Sequence, residues 1–432
     1  MPDKKLNHQH PKWSYSTNIY EVNIRQYTVE GTFNAFAKHL PRLKDMGVQV
    51  LWFMPVTPIS DKGRLGNLGS YYAAKDYEKI NPEYGTVHDF KNLIKEAHHL
   101  GFKIILDFVA DHTGNDHLWI KEHPDFFVRD ENNGFLHPHG WSDVSQLNYD
   151  EPKVWKEMTN VLKYWVKEYN VDGFRCDMAH LVPLDFWIHA KKKVGKLQDE
   201  LFWLGECEEP EYHQVFDATY TWRWMHASEE FYHGRMNLQS LLTVLYKSVT
   251  EFPCSAFRLY FTANHDENSW NGTEYEKYGD AVQLFAVFSC TWDGIPLIYS
   301  GQELPNKKRL QFFEKDHIDW NENVELHSFY KTLLTLKSYN PALRAGDPNV
   351  LTRIISHPDD HKVFSYLRKH ESDQVLVILN CSGEGLNFEV KNVKGTFTNI
   401  FGGADINFEI NKTVYLNAWG YLVFERVPML SK

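Results

Sequence analysis

The sequence predicts an α/β fold, a (β/α)8 TIM barrel with a short loop domain after its third strand and a C-terminal all-β sandwich. Three observations predict it. Between Ile19 and Leu343, short apolar runs alternate with longer amphipathic ones through eight repeats. One long polar stretch, Asp111–Asp150, interrupts the alternation and is too long for a simple connection. After Pro341 the helical signal stops and only short strand-like runs remain. The expected division is therefore a barrel built from 1–110 and 151–345, an inserted loop domain at 111–150 and a sandwich at 346–432.

Each element follows from its pattern. Ile19–Ile24 reads as the first strand. Thr32–Met46 sets Phe33, Phe36, Ala37, Leu40 and Leu43 at helical spacing, with a kink expected at Pro41 and a stop at Gly47. Val48–Val56 is almost wholly apolar, as a strand covered on both faces must be. Val87–Leu100 gathers Phe90, Leu93, Ile94 and Ala97 on one face before Gly101, and Phe102–Val109 is the third strand. Pro152 opens a helix whose Val154, Met158, Val161, Leu162 and Trp165 share a face. Asp172–Met178 and Leu201–Cys207 are strands four and five, around a helix at Pro183–Leu197. Ala218–Trp224, Arg258–Asn264 and Ile295–Tyr299 complete the eight, with Tyr278–Cys290 helical between the last two. The sandwich strands read as Lys362–Leu367, Gln374–Leu379, Leu386–Val390, Thr396–Asn399, Lys412–Leu416 and Gly420–Arg426.

Composition narrows the function. A net charge of −11 argues against a nucleic-acid partner, and the basic run Lys191–Lys193 reads as a solvated helix face. The His98-His99 and His137–His139 clusters read as solvent-facing. Five scattered cysteines, an odd number, form no disulfide framework and no zinc motif. No run approaches the roughly 18 apolar residues of a membrane span, and Met1–Trp13 carries no apolar leader core, so a cytoplasmic location is expected. Aromatic residues make up 15% of the chain, with 14 Trp; some fill the core and some can line a groove for flat apolar ring faces such as those of sugars.

Barrel chemistry sits where strands end. Strand three ends Asp107-Phe108-Val109-Ala110-Asp111-His112, strand four ends Arg175-Cys176-Asp177, strand five ends at Glu206 and strand seven at Asn264-His265-Asp266. Any one such acid could cap a helix, but four around one mouth point to chemistry. Two carboxyls about 5 Å apart on adjacent strands suit glycoside hydrolysis with retention. Arg175, two residues before Asp177 and on the same side of the strand, favours ionised Asp177. That makes Asp177 the nucleophile, Glu206 the acid/base and Asp266 a stabiliser of the positive transition state.

These segments resemble the α-amylase family of retaining α-glucan hydrolases and transglycosylases across nearly the whole chain. Asp107–His112 is similar to its D-x-x-x-N-H segment, Gly173–Asp177 to G-F-R-x-D, and His265-Asp266 to its H-D pair. GVQVLWFMP at 47–55, QLN at 146–148, GIPLIYSGQE at 294–303 and GSYYAAKDY at 69–77 resemble secondary signatures. The resemblance implies that Tyr72, Asp107, His112, Arg175, His180 and His265 bind the substrate. It implies cleavage of α-1,4-glucosidic bonds in starch-derived maltooligosaccharides, with a glucanotransferase or a non-catalytic glucan-binding relative as the alternatives. The chemistry requires no cofactor. The family's Asn is Asp111 here, a carboxylate that can also ligate a structural calcium ion. The family's Lys-His after the nucleophile is replaced by Met178-Ala179-His180, which puts long-polymer specificity in question.

Overall fold

The computed structural model describes residues 9–321, 323–357 and 360–427. Eight parallel strands close into a barrel. They are β1 (Ile19–Val22), β2 (Val50–Phe53), β3 (Lys103–Val109), β4 (Gly173–Asp177), β5 (Phe202–Gly205), β6 (Ala218–Tyr220), β7 (Phe257–Tyr260) and β8 (Ile295–Tyr299). They pair in chain order, and Ile19 opposite Leu297 closes the ring. Alternate side chains serve two cores, because successive residues of a strand point to opposite faces. Ile19, Val50, Trp52, Ile105, Phe202 and Leu204 fill the barrel interior. Tyr20, Leu51, Ile104, Leu106, Phe174 and Trp203 meet the surrounding helices. Burial on both faces explains the unbroken apolar runs. At the β4–β5 contact a Cβ on Gly173 would lie 2.0 Å from the Phe202 carbonyl oxygen, so only glycine fits there.

Local signals fix the helices. Val87–His99 starts with a reciprocal cap between Thr86 and Asp89 and buries Phe90, Leu93, Ile94 and Ala97. Pro152–Tyr169 has its proline in the first turn and ends at a left-handed Asn170. The expected single helix over 32–46 is two, Phe33–Ala37 and Leu40–Met46. Pro41 lies in the first turn of the second, where a missing N–H breaks no bond, so it starts a helix instead of kinking one. Strand β6 is shorter than expected: Trp222–Tyr232 is helical, with Trp224, Ala227 and Phe231 at helical spacing against the core. Strand β7 stops at Tyr260, and Phe261–Asn264 continue buried beyond the ladder. Lys191 is not on a solvated face: its ammonium bonds the Val215 carbonyl and lies 3.6 Å from Asp217, while Lys192 and Lys193 stay exposed. His98 is half-buried and bonds Asp172 at 2.8 Å, whereas His99, His137 and His139 are exposed as expected.

Within 111–150, His112–Gly114 pairs antiparallel with Val144–Gln146, and Phe126, Phe127 and Leu147 are buried. The C-terminal sheet has six strands in the order Leu351–Ile354, Val363–His370, Asp373–Asn380, Tyr421–Arg426, Thr396–Asn399 and Ile406–Asn407. The pair Leu386–Val390 and Lys412–Leu416 covers one face, sharing a core of Leu376, Ile378, Phe388, Val414 and Phe424. The other face packs on the barrel through Phe364, Tyr366 and Val377, and Tyr366 bonds Thr291 at 2.6 Å. Among the described residues no helix is long and apolar enough to cross a membrane.

Candidate active site

Register places the strand-end groups together. Asp107 lies beside Arg175, and Val109 beside Asp177. Residues two apart share a face, so Asp107, Arg175 and Asp177 all project to the barrel interior. Glu206 follows β5, with its N–H donating to the Cys176 carbonyl at 3.0 Å. One guanidinium organises the three acids. Arg175 Nη1 donates to Asp177 Oδ1 at 2.7 Å and to Asp107 Oδ1 at 3.0 Å. Its Nη2 lies 2.8 Å from Glu206 Oε2, an ion-pair contact too oblique to satisfy that N–H as a hydrogen bond. The Arg175 side chain is fully buried, flanked by the Trp52 and Tyr220 rings.

Met178, directly after the expected nucleophile, adopts a left-handed backbone with φ 40° and ψ 44°. A non-glycine residue is held there only when its surroundings over-determine it, at a cost of order 1–3 kcal/mol. The conformation turns the Met178 N–H onto Glu206 Oε2 at 2.8 Å. The residue after one carboxylate thus fixes the orientation of the other.

Burial pushes the Glu206 carboxyl up to about 7; the charges of Asp177 and Asp266 add to this and Arg175 opposes it. Burial likewise raises Asp107 to about 7 against the pull of Arg175. At Asp266 burial opposes ionisation, but the neighbouring His265 overrides it and holds the carboxyl below its ordinary range. His265 is itself raised well above 6.5: burial disfavours its charge, and Asp266 and Glu21 outweigh that. Its Nδ1 lies 2.5 Å from Glu21 Oε1, and its Nε2 lies 3.2 Å from Asp266 and 2.7 Å from the Tyr72 hydroxyl. As an imidazolium it donates from both nitrogens. The Tyr72 hydroxyl then accepts from His265 and donates to Asp107 Oδ2 at 3.2 Å, where Trp52 Nε1 also donates.

Above this layer lies a cavity of about 480 Å³. Tyr72, His112, Asp177, Glu206 and Asp266 line it. Asp107, Arg175 and His265 were expected to bind substrate but lie beneath the floor, with side chains at most 2% exposed. There they contact the acids and Tyr72 that face the cavity or lie beside them. His180 is exposed and does not line the cavity; its Nδ1 lies 3.4 Å from the Glu206 carbonyl. Asp111 is buried with its carboxylate 3.3 Å from His112 Nδ1. Among the described residues no group of three or more His, Cys, Asp or Glu is arranged to hold a metal. Calcium takes six to eight oxygens, and Asp111 gathers no such carboxylate set, so no step of the reaction is assigned to it.

Sequence reasoning missed Trp141, Asp143, Trp270, Phe312 and Phe313, which also line the cavity. Trp270 lies 5.3 Å from Phe312, whose ring stacks at 6.3 Å with Tyr72, forming an aromatic shelf. The signal available was the Phe312-Phe313 pair standing in a polar stretch. Glu21 was missed too, although one acid inside the apolar run IYEV needs a buried partner.

The family description "Alpha amylase, catalytic domain" matches residues 12–139 and 127–345, and "Maltogenic Amylase, C-terminal domain" matches 354–423. Alpha-amylase 2 of Dictyoglomus thermophilum is 24% identical, covering 92% of this chain and 74% of its own length. Alpha-amylase MalA of Haloarcula japonica is 28% identical over 87% of this chain and 56% of its own. Among solved structures, the maltogenic α-amylase AmyB from Thermotoga neapolitana superposes with a TM-score of 0.87 at 29% identity, covering 96% of this chain and 99% of that one. The α-amylase from Lactobacillus plantarum gives 0.86 at 30% identity, with 96% and 99% coverage. With a catalytic-domain match over most of its length and a cleft carrying paired carboxyls, the chain belongs to the α-amylase family of glycoside hydrolases.

Proposed function

We propose that this enzyme hydrolyses α-1,4-glucosidic bonds of maltooligosaccharides and related starch-derived α-glucans with retention of configuration. The observation that carries this is the single Arg175 guanidinium contacting Asp177 at 2.7 Å and Glu206 at 2.8 Å. Two carboxyls on one small planar cation suit the close spacing of a retaining pair, not the wider gap that leaves room for a water. Asp177 attacks the anomeric carbon, the glycosidic C–O bond breaks, and Glu206 gives its proton to the departing oxygen. Glu206 then takes a proton from water, the hydroxide displaces Asp177, and the free carboxylate returns. Asp266, kept ionised, stabilises the positive charge at the anomeric carbon. The aromatic shelf offers apolar faces to sugar rings.

The test is a time course on maltoheptaose, with products separated by size and fresh product examined by proton NMR. Shorter sugars with an α reducing end are expected. Fresh β anomer would overturn the retaining pair, and products mainly longer than the substrate would make the enzyme a glucanotransferase.

The raised Glu206 carboxyl sets the pH dependence. It must carry its proton to act as the acid, and it releases that proton as pH rises through about 7. kcat/KM is therefore expected to fall above about pH 7. Asp107 titrates in the same range beside the same guanidinium, so the limb belongs to the cluster. A profile of kcat/KM that stays flat to pH 9 would remove Glu206 from the acid role.

A further inference from the structure

We propose that the cleft is closed at its donor end, so that the enzyme binds the non-reducing terminus of a linear α-glucan and releases a short unit of fixed length. This rests on the hydrolytic reading above and specifies which bonds it reaches.

The wall is a seam between two loops. The loop after β2 and the loop after β8 are joined where the Asn67 N–H and Nδ2 donate to Glu314 Oε1 and Oε2 at 3.0 and 2.7 Å. The Leu68 N–H donates to the Phe313 carbonyl at 2.9 Å. The segment after β1 fastens both from below. Buried Arg25 donates to the carbonyls of Gly69 and Leu68 at 3.0 and 3.2 Å, and Gln26 Nε2 donates to the Gln311 carbonyl at 2.9 Å. The two loops also touch closely at Gly66. Gly66 has φ +61°, and a Cβ there would lie 2.6 Å from Phe313 Cβ. The seam is also the cavity wall, since Leu65 and Ser70 from one loop and Phe312 and Phe313 from the other line it.

Topology gives the wall its direction. Strands β2 and β8 flank β1, and β5, which leads into Glu206, stands opposite β1 in the ring. Glu206 protonates the oxygen of the leaving chain, so the leaving chain extends toward the β5 side. The donor sugars then point toward β1 and run into the seam. An internal bond of a long chain would need glucosyl residues to pass through that wall.

The test compares two 4-nitrophenyl maltoheptaosides, one with a free non-reducing end and one with that end capped by a 4,6-O-ethylidene group. The capped substrate is expected to be cleaved about 100-fold more slowly or worse, since a packed wall rejects added bulk. Equal rates would overturn the proposal. Failure to cleave the free substrate would instead overturn the hydrolytic reading. The double variant Asn67→Ala, Glu314→Ala removes the side-chain bonds of the seam and is expected to raise the capped-to-free rate ratio at least about tenfold. An unchanged ratio in the folded variant would overturn the seam's role. If the variant does not fold, the wild-type comparison still decides.

Discussion

Asp177→Asn lowers kcat on maltooligosaccharides by about 10⁴-fold or more while leaving the fold intact, the scale seen when a covalent nucleophile is removed. The amide is nearly isosteric, and its oxygen still accepts the Arg175 Nη1 donor that Asp177 accepts at 2.7 Å. What disappears is the charge that attacks the anomeric carbon, and no neighbour replaces it: Asp107 is sealed beneath the floor, and Glu206 is needed as the acid. Glu206→Gln separates the two roles. It cripples glucoside cleavage, where the leaving oxygen needs a proton, but spares the first step on α-maltosyl fluoride, whose leaving group needs none. Asp177→Asn is expected to lose activity on both substrates. Steady-state kinetics with each, alongside far-UV circular dichroism, checks this. Substantial turnover of the glucoside by Asp177→Asn would refute the assignment.

The strand-end acids were legible because a buried parallel strand leaves a plain trace. An apolar run such as Lys103–Val109 turns polar where it leaves the barrel, and spacing by two puts Arg175 and Asp177 on one face. What could not be read was depth. Asp107 and Asp177 look alike as acids near strand ends, yet one is sealed by Trp52 and Tyr72 while the other opens into the cavity. That difference is made by side chains arriving from distant segments. The aromatic shelf was hidden for the same reason: Trp270, Phe312 and Tyr72 come from three loops, and loops carry no periodicity that announces a shared surface. Strand β6 was over-extended because Trp222 and Trp224 favour strands by propensity, while Trp224, Ala227 and Phe231 together bury a helical face. Lys191 read as solvated by charge alone, although its stem and ammonium fold back onto the Val215 carbonyl.

Arg175→Met is expected to cost about 3–5 kcal/mol of stability at pH 8, the range found when one partner of a buried ion pair is removed. The loss is expected to be smaller at pH 5, by at most about 1.4 kcal/mol per carboxyl for each pH unit above 7. Wild-type Arg175 contacts Asp107, Asp177 and Glu206 with no exposure of its own side chain, and it opposes the burial that raises Asp107 and Glu206 to about 7. Without the cation those two carboxyls rise further. A carboxyl whose folded pKa exceeds its unfolded value near 4 contributes most below that unfolded value and progressively less as pH rises through the folded one. Below about pH 7 both proteins keep these two carboxyls protonated when folded and lose stability in parallel, so this part of the variant's deficit opens near pH 7 and grows beyond it. Arg175→Lys is expected to recover only part of it, because one ammonium cannot span the carboxylates that the planar fork joins. Urea unfolding of the three proteins at pH 5 and pH 8 decides the matter. A deficit equal at both pH values would mean that Arg175 acts through packing alone. A deficit that widens with pH means that its charge keeps the acids of the cleft folded together, and hence that the paired geometry needed for retention depends on a residue buried beneath the cleft floor.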